Sequence, residues 1–235
     1  MKLNNLKREV ESLKDLEKAR LLQRFFKTGK GEYGEGDVFY GLTVPQSRKI
    51  VNKYKELGLD EVIDLLHSRV HEERLIALLI LVSKYQKGDF TLKKKIFDVY
   101  LKNTKWINNW DLVDLSAHKI VGDYLVDKDI NILKKLACSN LLWERRIAII
   151  STFAFINIGS SKETMEISKV LVADKHDLIH KAVGWALREV GKRVSVDDEK
   201  KFLDKYKNTM PRTMLRYAIE RFDQKTRKGY LSKIC

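Results

Sequence analysis

Trp110 and Asp114, four residues apart in the run Trp106-Ile107-Asn108-Asn109-Trp110-Asp111-Leu112-Val113-Asp114, are the pair in this chain best spaced for chemistry. Residues four apart share one face of a helix, so the carboxylate would stand beside an indole surface that attracts cations. Such a pair suits a reaction in which positive charge develops. A fixed carboxylate stabilises that charge and can orient an attacking water. The same spacing also arises when a solvated carboxylate merely follows a partly buried tryptophan, and the pair alone does not decide between the two. Two later clusters join tryptophan to basic residues: Trp143-Glu144-Arg145-Arg146, and Lys181 with Trp185 and Arg188.

The histidines carry less. His67 and His71 are four apart, as are His176 and His180, a spacing that can place two metal ligands on one helix face. Neither pair forms H-E-x-x-H, and no cysteine set lies near them, so structural roles near helix ends are the expectation and no metal site is assigned. Cys138 and Cys235 are far apart, with no C-x-x-C, which argues against a disulfide framework and fits a reducing compartment.

The elements that must position these residues read as helices throughout. Leu75, Leu78, Leu79 and Val82 form one apolar stripe, and Ile147, Ile150 and Phe153 another. Only two prolines punctuate 235 residues, too few turn formers for an all-β chain. The segments Glu73-Arg74-Leu75-Ile76-Ala77-Leu78 and Glu144-Arg145-Arg146-Ile147-Ala148-Ile149 echo each other, and Lys181-Ala182-Val183-Gly184-Trp185 continues the pattern. The aligned small or slim positions are Ala77, Val113, Ala148, Gly184 and Ala218, spaced by about 35 residues, within the range of helix-pair repeats. Small residues at one register let stacked helices approach closely. The expected fold is therefore all-α: a single superhelical solenoid of HEAT-like repeats over residues 1–235, whose equivalent faces line one continuous groove.

One stretch breaks the helical texture. Five glycines crowd residues 28–41, a long loop that lacks the G-x-x-x-x-G-K-[ST] order of a phosphate-binding loop. It reads either as a plain connection or as a contact to a phosphate backbone through Lys27, Lys30 and its amides. The overall charge favours a polyanion: 46 Lys+Arg against 32 Asp+Glu leave a formal net charge of +14. The N-terminus is amphipathic and charged, without an apolar signal core, and no apolar run reaches membrane-spanning length. A cytoplasmic monomer is expected.

Taken in order, Asn108-Asn109-Trp110-Asp111-Leu112-Val113-Asp114, Trp143-Glu144-Arg145-Arg146 and Lys181-Ala182-Val183-Gly184-Trp185-Ala186-Leu187-Arg188-Glu189 resemble the AlkD-like DNA alkylation repair family. Residues 27–37 and 210–220 look like stretches of the same family. The resemblance implies a HEAT-like solenoid that holds duplex DNA in a basic concave face and excises N3- and N7-alkylated purines, such as 3-methyladenine and 7-methylguanine, without a cofactor. It implies that Asp114 is the catalytic aspartate and that Trp110 and Trp185 frame the damaged nucleotide. It also implies that Arg146 contacts the DNA backbone; the basic charge and the repeat register add Arg145, Lys181 and Arg188 as expected phosphate contacts. Two positions depart from the pattern: Phe25 aligns with a tyrosine of other members, and Asn109 with a tryptophan of some.

That chemistry suits these residues. Cleaving a purine N-glycosidic bond passes through an oxocarbenium-like transition state. A cationic alkylpurine leaves as a neutral base, so a single carboxylate suffices and no general acid is needed. The expected function is a monofunctional, hydrolytic alkylpurine DNA glycosylase. The alternatives are a non-catalytic HEAT-like module that binds DNA structures or damage, and a protein-binding solenoid.

Overall fold

Side-chain caps fix where many of the helices begin. Asp15 accepts the Lys18 amide at 3.0 Å, Asp89 that of Leu92 at 2.8 Å, and Asp223 that of Thr226 at 3.0 Å. Thr43 and Gln46 form a reciprocal capping box ahead of Pro45. The computed structural model describes residues 2–232, so Cys235 lies outside the described residues. These residues are all-α: no strand occurs among them, only an isolated parallel bridge between Val38 and Val70. No helix of the described residues is long and apolar enough to cross a membrane. They form two compact units that divide between Ser116 and Ala117.

The first unit comprises α1 (Lys2–Ser12), α2 (Leu16–Phe25), α3 (Val44–Tyr54), α4 (Leu59–Leu66), α5 (His71–Lys87), α6 (Phe90–Lys102) and all but the last residue of α7 (Trp110–Ala117). Its centre is α5, against which α3, α4 and α6 pack. Of the predicted stripe Leu75, Leu78 and Val82 are buried here, as is Ala77, while Leu79 is half-buried. Less expected is the polar opening of α5: His71, Glu72, Glu73 and Arg74 are all buried.

The second unit begins with a π-helical turn, His118–Gly122. It continues through α8 (Asp123–Leu125), α9 (Asn131–Ala137), α10 (Leu142–Ser151), α11 (Phe153–Asn157), α12 (Lys162–Leu171), α13 (Asp177–Arg193), α14 (Val196–Tyr206), α15 (Arg212–Ala218) and α16 (Gln224–Leu231). Successive helices stack, α9 on α10, α10 on α13 and α13 on α15. The small-residue register has the expected physical use. A Cβ built on Gly184 of α13 would fall 2.5 Å from both the Met214 carbonyl oxygen and Tyr217 Cβ of α15, so any larger residue would force the helices apart. Ala148 and Ala218 are likewise fully buried.

The echo between repeats extends to their hydrogen bonds. Arg74 donates to the Ser68 carbonyl, six residues back, at 2.9 Å, and Arg145 donates to that of Ser139, also six back, at 3.0 Å. Each also pairs with an aspartate, Arg74 with Asp37 and Arg145 with Asp174, both at 2.6 Å. The repeated arginine thus fastens the start of its helix to the preceding turn.

Candidate functional site

The start of α7 carries the predicted pair. Asn109 is fully buried, and its side-chain oxygen accepts the Trp110 amide at 2.8 Å while its carbonyl accepts that of Val113 at 3.2 Å. Asn109, one of the two departures noted above, thus caps α7 from inside the core. Trp110 is half-buried at the end of a run of rings. It stacks on Phe26 at 5.3 Å and takes the edge of Phe25 at 5.9 Å, and Phe26 stacks in turn on Phe39 at 5.1 Å. Phe39 lies 4.4 Å from the His71 ring. Phe25 itself is 63% exposed, so this wall reaches solvent through a ring without a hydroxyl. Asp114 follows one turn after Trp110, half-buried on the same face. The Tyr100 hydroxyl, bonded to Ser116 at 2.8 Å, is pushed well above its ordinary pKa by burial and, further, by the Asp114 charge.

Behind this face lies a buried polar network that sequence reasoning did not find. His71 is 2% exposed and has a carboxylate at each ring nitrogen, Asp111 at 2.8 Å on Nε2 and Asp37 at 3.2 Å on Nδ1. Asp37 also accepts from Arg74 at 2.6 Å and from Asn108 at 3.1 Å. Burial opposes a charge on His71, but the Asp111 carboxylate and the hydrogen bonds from both partners outweigh it and raise its pKa above the ordinary value. Burial likewise works against the Asp37 carboxylate, and its His71 and Arg74 partners more than offset this, so its pKa is lowered. Next to the network, Glu72 receives the consecutive amides of Tyr40 at 3.1 Å, Gly41 at 2.7 Å and Leu42 at 3.1 Å. Gly41 is required there: its φ is +90° and a Cβ would meet the Asp15 carbonyl oxygen at 2.3 Å. The signal in the sequence was the run His71-Glu72-Glu73-Arg74 opening an otherwise apolar helix.

The histidines of each four-apart pair go to separate tasks. His67 bonds Asn103 at 2.6 Å and stacks on Trp106, while His176 caps the Leu178 amide and His180 bonds the Asp174 carbonyl. No group of three or more potential metal ligands gathers among the described residues.

The basic candidates separate into two kinds. Lys27 and Lys30 are exposed in the glycine-rich loop, but the Gly29 and Gly31 amides there already donate to Glu32 and Glu35, each at 2.8 Å. Those two amides are taken within the loop. In the second unit Lys181 is part-exposed and 2.7 Å from Asp177. Arg145 spans Asp174 and the Ser139 and Asn140 carbonyls. Arg146 is only 5% exposed and donates to the Leu178 carbonyl at 2.7 Å. Arg188 pairs with Glu220, with Glu189 3.8 Å away. The three arginines read as DNA contacts thus have partners within the protein, Arg145 and Arg146 on carbonyls and carboxylates of their own and the next repeat, Arg188 on the Glu220 carboxylate. Trp185 is half-buried and lies 4.6 Å from the Phe153 ring.

The sequence model of the family described as DNA alkylation repair enzyme matches residues 6–222. The chain belongs to this family. Its membership supports a role in the repair of alkylated DNA. Among solved structures, one described as a predicted DNA alkylation repair enzyme from Enterococcus faecalis aligns over 90% of this chain and 97% of its own, with a TM-score of 0.68 and 14% identity. At that identity the likeness shows the fold, and the DNA alkylation repair fold is the one seen here. Comparison with curated proteins gives no match.

Proposed function

We propose that this member of the family is a monofunctional glycosylase that hydrolyses the N-glycosidic bond of cationic N3- and N7-alkylpurines in duplex DNA. The observation that carries the reading is the face of α7, where Asp114 stands one turn from an indole braced by Phe26 and by the buried Asn109 cap. In this reading residues 1–235 act as one DNA-binding domain with a HEAT-like, basic concave face. Asp114 stabilises the sugar cation and orients water. Trp110 and Trp185 attract the charged nucleotide, each contact worth roughly 0.5–2 kcal/mol. Lys27, Lys30 and Lys181 neutralise phosphates, and Phe25 packs against the DNA. Arg145 acts by holding the turn before α10 and Arg146 by holding the Leu178 carbonyl of α13, and Arg188 reaches DNA where it can share its glutamate.

The test is incubation with methylated duplex DNA, followed by chromatography of released bases. Asp114→Asn, nearly isosteric, should lower single-turnover release by roughly 10²–10³-fold or more while binding and fold persist, as expected when one preorganised electrostatic contact is lost. The parent should release 7-methylguanine and 3-methyladenine far faster than a neutral etheno-adenine, which needs a proton that a lone carboxylate does not supply. An Asn variant as active as the parent, or equal rates on charged and neutral lesions, would refute the mechanism.

A further inference from the structure

We infer that His71 is a positioning residue: as an imidazolium it clamps the start of α7 to α5 and to the Asp37 loop, and so sets where Trp110 and Asp114 stand. The inference deepens the reading above and rests on it for the parts given to those two residues.

The charge on His71 follows from the geometry. A neutral imidazole has one donor nitrogen and one acceptor, whereas the imidazolium donates from both. His71 meets a carboxylate at each nitrogen, Asp111 at 2.8 Å and Asp37 at 3.2 Å, and an ionised carboxylate only accepts. Only the charged ring bonds both. The balance of charge agrees. Asp37 and Asp111 bring two negative charges, and Arg74 and the imidazolium bring two positive ones. A neutral ring would leave one negative charge uncompensated away from water, which is costly. The other charged groups around the ring are engaged elsewhere, Glu72 of α5 with the amides of residues 40–42 and Lys18 of α2 with Asp15 at 2.8 Å. Asp111 depends on His71, because its other oxygen is buried and has no hydrogen-bond partner among the described residues.

The clamp reaches the face of α7 by two routes. Asp111 directly follows Trp110 in the first turn of α7, and Asn108, just before that helix, donates to Asp37 at 3.1 Å. The His71 ring also stacks on Phe39 at 4.4 Å and lies 5.1 Å from Phe26, which stacks on Trp110 at 5.3 Å. With only 8 residues, α7 has little stability of its own, so ties of this kind decide where its side chains point.

The test starts with the full-length chain free of DNA. Nitrogen–proton NMR of the His71 ring should show a proton on both nitrogens at about pH 7.5, where an ordinary histidine is mostly neutral. His71→Gln removes the charge and leaves one donor side for two carboxylates. Amide exchange should then lose about tenfold or more of its protection across α7, while the second unit keeps its own. Single-turnover release from methylated DNA should fall by about 10²-fold, the cost of misplacing a reacting group by about 1 Å, with affinity for unmodified duplex little changed. Asp111→Asn weakens the same tie from charged to neutral, a milder change that serves even where His71→Gln does not fold. It should lower protection in α7 less, and added to His71→Gln it should restore part of what that substitution lost. One bare ring nitrogen in the parent overturns the clamp, as does α7 protection that neither substitution lowers. Protection and DNA affinity lost throughout the chain would make His71 a residue of the fold alone. A parent that releases no base refutes the glycosylase reading, while the clamp is still judged by the ring spectrum and by exchange.

Discussion

Glu199 is 2% exposed in the first turn of α14, with its Oε2 packed against Gly191 so closely that a Cβ there would lie 1.7 Å away. Burial pushes its pKa up to about 8, against the opposing pull of Arg188 and Lys200. The folded state therefore prefers the neutral acid, while the unfolded chain ionises near 4.5. Between those values the unfolded state binds fewer protons, so stability falls as pH rises and levels off above about pH 8. His71, also held above its ordinary value, acts in the same direction. Glu199→Gln keeps the shape and removes the titration. Its melting temperature should equal the parent's near pH 4.5 and exceed it by several degrees at pH 8–9, and thermal melts across that range check this. A parallel pair of pH curves would show that Glu199 is not the source.

At the level of elements, the end of α2 is shaped by a residue in an unfavourable conformation. Thr28 donates to the Gln23 carbonyl at 3.2 Å and Lys27 to that of Arg24 at 3.3 Å, the paired bonds of a Schellman motif. Lys27, the first residue past the helix cap, has φ +51°, where glycine is the usual occupant. A side chain there costs about 1 kcal/mol. Lys27→Gly should accordingly raise stability by about 1 kcal/mol and at the same time weaken DNA binding by removing one phosphate contact. Denaturant titration and a binding isotherm measure the two effects separately, and a substitution that weakens both would place the lysine in the fold instead. This motif was hidden from the sequence, because a lysine before Thr28-Gly29 gives no sign that the turn precedes the glycine. The glycine-rich stretch was legible as a loop, but its attachment was not. Asp37 and the amides of residues 40–42 are bound by side chains 30 or more positions away, at the start of α5. By contrast, the apolar stripes and the register of Ala77, Ala148, Gly184 and Ala218 were readable, since period and side-chain size are local properties.

For the whole molecule the dominant quantity is a formal net charge of +14. If binding rests on phosphate contacts, log affinity should fall linearly with log salt, with a slope of about −0.9 for each phosphate neutralised. Titrations at several salt concentrations measure this, and a flat response would point to a partner other than DNA. The fold class was visible from composition because an all-helical chain of this charge needs few turn residues. The division of labour among the basic residues was not visible. Nothing in the sequence around Arg145 shows that its side chain reaches back to the Ser139 carbonyl at 3.0 Å.

The three amides gathered on Glu72 bear on how the protein breathes. Residues 40–42 lie outside regular secondary structure, where backbone protons ordinarily trade with solvent soonest. Here they are locked to a buried carboxylate in the first turn of α5, so they can be released only when that turn frays. The loop and the helix start should therefore open as one event, uncovering the buried Leu42 with them.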